Sequence, residues 1–68
     1  MSMKITLNGE DRTVQPDASL GELLEMLDLK GKRIAVEVNR EIVPRSEYDN
    51  FKLTESDTIE IVNAIGGG

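Results

Sequence analysis

Leu20, Leu23, Leu24 and Leu27 recur at i, i+3, i+4 and i+7, which gathers four leucines on one face of one helix. Ser19-Leu20-Gly21-Glu22 ahead of them has capping-box spacing, a serine followed three residues later by a glutamate. Gly31 suits the helix exit, with Lys30, Lys32 and Arg33 near the negative end of its dipole. This is the one amphipathic helix in the chain, so a sheet is the only element left to cover the stripe. The expected class is therefore α+β, a mixed sheet with one main helix packed on one face and the leucines in the core.

The strands follow from shorter periods. Met3, Ile5 and Leu7 alternate with Lys4 and Thr6, as in a half-buried strand. Asn8-Gly9 is a turn dipeptide, and the return strand is expected from Thr13-Val14, with a loop over Asn8 to Asp11. Pro16 ends that hairpin. Ile34, Val36 and Val38 share one face of a third strand. Asn39-Arg40 then makes a tight turn, with Asn39 tolerating left-handed geometry, and Glu41-Ile42-Val43 pairs back until Pro44. Ser46 to Asp49 reads as a short helical turn that leans Tyr48 and Phe51 on the core, and the last strand spans Thr58 to Ile65. The first and last strands are the most apolar and free of proline, as central strands should be, whereas Pro16 and Pro44 mark edges. Chain order then permits a β-grasp, with those two strands adjacent and parallel in the middle.

Sixty-eight residues suffice for one domain, here 1–65, followed by a glycine tail over 66–68. The chain has no cysteine and no histidine, so disulfides, thiolate nucleophiles and the commonest bases and metal ligands are missing, and no metal site is expected. Its carboxylates are dispersed, without a pairing suited to glycoside or metal chemistry. A net charge of −5 and only two aromatic residues argue against nucleic acid. An acidic surface suits a basic protein partner and also simply favours solubility. No apolar stretch approaches a membrane span, so a soluble cytoplasmic protein, monomeric when free, is expected.

Gly66-Gly67-Gly68 follows directly on the run Ile59, Ile61, Val62, Ala64, Ile65. Three glycines can extend about 10 Å through a slot too narrow for a Cβ. The working group is then the terminal carboxylate itself; a glycine end without function is the alternative.

The segment Ile34-Ala35-Val36-Glu37-Val38-Asn39-Arg40-Glu41-Ile42-Val43-Pro44-Arg45 resembles the central motif of ThiS, the ubiquitin-like sulfur-carrier family of thiamin biosynthesis. Leu53 to Asp57, Ile59-Glu60-Ile61-Val62 and the diglycine end extend the resemblance over nearly the whole chain. Tyr48 stands where many members carry tryptophan, Ser56 where glycine is usual, and a third glycine lengthens the tail. The resemblance implies a ubiquitin-like β-grasp and a carrier that acts as co-substrate instead of enzyme. It binds no cofactor of its own. A ThiF-like adenylyltransferase would use ATP to adenylate the Gly68 carboxylate. A sulfur-donor protein would convert it to a thiocarboxylate, which thiazole synthase would consume.

On that reading Gly68 carries the adenylate and then the sulfur, and Gly67 lets the backbone lie flat in the partner's channel. Gly66 is a spacer, and Ala64 and Ile65 set the direction of the tail. Glu60 and Val62 are expected on the face away from the helix, with Ala35 and Glu37 beside them. Ala35, Val62 and Ala64, ringed by Glu37 and Glu60, then form the docking surface, unless this is an ordinary exposed sheet face. Arg45 is expected as an ion-pair partner or docking contact. Three other uses stay open: a molybdopterin-synthase-type carrier, a modifier conjugated to lysine through Gly68, and a plain interaction module.

Overall fold

The two ends of the described chain meet in the middle of one sheet. The computed structural model describes residues 1–63. They form β1 (Met3–Leu7), β2 (Glu10–Val14), α1 (Leu20–Met26), β3 (Ile34–Val38), β4 (Glu41–Ile42), a 3-10 helix (Arg45–Asn50) and β5 (Thr58–Asn63). The five strands lie in the order β2-β1-β5-β3-β4. β1 and β5 are parallel, with Thr6 beside Thr58 and Leu7 beside Ile59, and every other pairing is antiparallel.

The expected leucine stripe is where the helix meets this sheet. Leu20, Leu23 and Leu24 are buried with Ile5, Val36 and Ile59, one inward residue from each central strand. Ser19 caps the helix: its hydroxyl accepts from the Glu22 N–H at 3.1 Å, while the Glu22 carboxylate accepts from the Ser19 N–H at 2.8 Å. Gly21 permits close approach to the 3-10 helix, because a Cβ there would lie 3.3 Å from the Asp49 Cα and overlap its carboxylate. Tyr48 and Phe51 pack half-buried against the core.

Two local expectations need correction. The β1–β2 loop contains only Asn8 and Gly9, and β2 begins at Glu10, not Thr13. Both turn residues have positive φ, 50° and 85°, the two-residue geometry whose twist matches the strands it joins. The polar run Glu10-Asp11-Arg12 hides the start of this strand because β2 is an edge on which only Val14 is buried.

The helix also stops before Gly31. Leu27 caps it half-buried, and Asp28 takes the left-handed conformation at φ 61°. The Asp28 N–H reaches the Glu25 carbonyl at 3.0 Å, and the Leu29 N–H reaches that of Leu24 at 2.8 Å. These two bonds make a Schellman ending with aspartate where glycine is usual. The basic run 30–33 therefore follows the helix, whose last turn contains no basic residue. Finally, the described part of the last strand ends at Asn63; its expected continuation through Ala64 and Ile65 lies outside the described residues.

Candidate functional site

Alternation along β5 buries Ile59 and half-buries Ile61 toward the helix, leaving Glu60 and Val62 on the opposite face. β3 runs antiparallel beside it in a register that sets Ala35 opposite Val62 and Glu37 opposite Glu60. The four expected docking residues within the described chain are thus brought together as two cross-strand pairs. Val62 is 60% exposed, and Ala35 and Glu37 are half-buried. Ala64, Ile65, Gly66, Gly67 and Gly68 lie outside the described residues.

One member of this face escapes the sequence reading. Ile42 on β4 is registered opposite Glu37 and is 68% exposed, whereas the next residue, Val43, is buried. The signal was present in the parity of Ile42 and Val43, two aliphatic neighbours that cannot face the same way in an extended strand. Ile42, Ala35 and Val62 therefore supply apolar surface around the Glu37–Glu60 pair. Like charges set directly opposite one another in a sheet are unfavourable.

The central strand is held at both ends by asparagines in turns. Asn39 and Arg40 connect β3 to β4 with φ 54° and 72°, as Asn8 and Gly9 connect β1 to β2. Asn39 accepts from the Thr58 N–H through Oδ1 at 3.0 Å, and donates through Nδ2 to Asp57 Oδ1 at 2.9 Å. The buried Asp57 carboxylate also receives the Thr54 N–H at 2.8 Å and the Thr54 hydroxyl at 2.9 Å. At the other end, Asn8 accepts from the Ile61 N–H at 2.8 Å and donates to the Ile61 carbonyl at 3.3 Å. The Arg45 guanidinium donates to the Lys32 carbonyl at 3.4 Å and ties the 3-10 helix to the loop before β3; among the described residues it forms no ion pair.

Among the described residues no three acidic, histidine or cysteine side chains gather to hold a metal ion, and no helix is long and apolar enough to cross a membrane. The features that stand out are a sheet face of mixed apolar and acidic character and the strand that leads into residues 64–68.

A mixed sheet of this order with one helix across it is the ubiquitin-like β-grasp class. The crystal structure of a Geobacter metallireducens thiamine biosynthesis protein, ThiS, superposes with a TM-score of 0.85 at 30% identity, covering 97% of this chain and all of that one. The model of the ThiS family matches residues 5–68, and the chain belongs to that family. It is 37% identical over 65 residues to the Bacillus subtilis sulfur carrier protein ThiS, covering 94% of this chain and 98% of that protein. It is also 41% identical over 66 residues to a thiazole synthase of Paramagnetospirillum magneticum, and 42% identical over 66 residues to one of Magnetococcus marinus. Those matches take in 97% of this chain, which spans only 20% of the length of either synthase.

Proposed function

We propose that this protein is a sulfur carrier for the thiazole of thiamin, loaded at the carboxylate of Gly68. The observation that carries the reading is the family match, which runs through Gly67 and Gly68. A carboxylate is a poor electrophile, so loading takes two steps at a partner. One carboxylate oxygen attacks the α-phosphate of ATP and pyrophosphate leaves, giving an acyl adenylate. The outer sulfur of a donor protein's persulfide then attacks the acyl carbon, and AMP leaves with one of the original oxygens, giving an acyl disulfide. A thiol attacks the donor-side sulfur of that disulfide, forming a new disulfide with the donor and expelling the acyl sulfur. The product is a thiocarboxylate on Gly68. Gly67 fits this use because an adenylating channel can close around a backbone that lacks a Cβ.

The partners are a ThiF-like adenylyltransferase, a sulfur donor and thiazole synthase. A stretch similar to this chain within two thiazole synthases supports the last of these, since one polypeptide there contains both parts. Docking uses the face of Ala35, Val62 and Ala64 with Glu37 and Glu60 around it. A basic partner side chain set between Glu37 and Glu60 would relieve the repulsion within that pair, so the charge cost in the free carrier becomes attraction in the complex. Ile65 and Gly66 complete the contact as the tail enters the partner.

Deleting Gly67 and Gly68 tests the assignment of the working end. The truncated protein should lose all sulfur transfer and still compete with the intact carrier for the adenylyltransferase, because the sheet face remains. Val62→Asp should do the reverse, retaining the tail and losing competition. Sulfur transfer by the truncated protein would refute the role of the glycine end.

A further inference from the structure

We infer that Asn8 is a positioning residue for the carrier's working end, anchoring the strand that leads into residues 64–68. The inference rests on the sulfur-carrier reading for its catalytic consequence and on geometry alone for the anchor.

In a parallel pair each strand offers N–H and C=O groups to its neighbour alternately, at even spacing. β1 and β5 follow this pattern while both are extended: the Thr6 N–H reaches the Asp57 carbonyl at 2.9 Å, and the Asn8 N–H reaches that of Ile59 at 2.9 Å. The next rung would need the Asn8 main-chain carbonyl to accept from the Ile61 N–H. Asn8 has instead turned to φ 50° to begin the hairpin, and β1 has ended at Leu7. Its side-chain carboxamide fills the vacancy. Oδ1 accepts from the Ile61 N–H at 2.8 Å and Nδ2 donates to the Ile61 carbonyl at 3.3 Å. One asparagine side chain thus stands in for a peptide unit and extends the β1–β5 ladder by a rung.

That rung sits where it matters. On its other edge β5 stays paired to β3 as far as Asn63 opposite Ile34. On the β1 edge, Ile61 is the last β5 residue whose main chain has a partner among the described residues, and the Asn8 side chain is that partner. Val62, in the docking face, comes immediately after. Without the carboxamide, β5 would be held beyond Ile59 on one edge only, and the base of the tail would have to be ordered during docking. That loss falls on complex formation: once docked, the reacting carboxylate is unchanged. Asparagine is suited to this double duty because it tolerates positive φ and carries a complete amide on a short stem.

The test uses Asn8→Gly, which keeps a residue suited to positive φ and removes the side chain that carries the carboxamide. Amide hydrogen exchange in the intact chain should accelerate about fivefold at Ile61, the factor expected for one net hydrogen bond. Val62, facing β3, and Ile5 should stay near their original rates. With a competent adenylyltransferase, KM for the carrier should rise about fivefold with kcat little changed, again the factor for one hydrogen bond. Asn8→Asp, which keeps the acceptor for the Ile61 N–H, should restore part of the protection. Unchanged exchange at Ile61, a uniform acceleration at all three amides, or a fall in kcat at constant KM would each overturn the proposal. If the wild-type chain itself is never adenylated, the sulfur-carrier reading fails, and the Ile61 exchange rates still decide whether Asn8 is the anchor.

Discussion

Five non-glycine residues in the described chain adopt positive φ, and what each side chain does there determines how a glycine would behave in its place. Ser56, at φ 71°, donates its N–H to the Lys4 carbonyl at 2.8 Å, a main-chain bond that glycine would keep. Ser56→Gly should therefore stabilise the protein by about 1 kcal/mol, the strain relieved less the added chain entropy. For a domain of this size that raises Tm by about 4–8 °C, readable in a thermal melt. Asn39→Gly should have the opposite sign. It relaxes a similar φ, 54°, but removes the bond to Thr58 and one of three donors to the buried Asp57. A cost of about 1–2 kcal/mol is expected in denaturant unfolding. The sequence shows that Asn8 and Asn39 belong in turns. It does not show that their amides pair with β5, because those bonds join residues 53 and 19 positions apart.

At the scale of elements, the helix and the three central strands could be read from residue periods, since each has one face buried against another layer. β2 could be read only at its end, Thr13-Val14, because no layer covers the outer edge and the polar run Glu10-Asp11-Arg12 carries no period. The helix exit was misplaced for a related reason: glycine is the usual signal for a left-handed residue, and Asp28 adopts that conformation without one. The outward face of Ala35, Glu37, Glu60 and Val62 was legible where β3 and β5 alternate, but its extension to Ile42 depends on a two-residue strand whose partner is visible only in the folded register. That same register predicts a trade. Glu60→Lys converts the Glu37–Glu60 repulsion into an opposite-charge pair and should stabilise the free protein by about 0.5 kcal/mol in a urea titration. The same change should slow association with a basic partner several-fold in stopped-flow mixing at low salt, with the difference shrinking as salt is added. Unchanged association would remove Glu60 from the docking face.

For the whole molecule, the parallel contact of β1 with β5 places the first and last strands of the described chain at the centre of the sheet. β5, the strand that leads into residues 64–68, therefore lies between β1 and β3, with the helix across the sheet. The body supplies the platform, and the chemistry is assigned to the carboxylate at its end. The most direct test of that assignment is the intact mass of the protein after incubation with ATP, a ThiF-like adenylyltransferase and a sulfur donor. The account predicts replacement of one oxygen by one sulfur, localised to Gly68 and absent when ATP is withheld. An unchanged mass with a partner that loads another carrier under the same conditions would contradict it, as would Gly68 joined by an amide bond to lysine on other proteins.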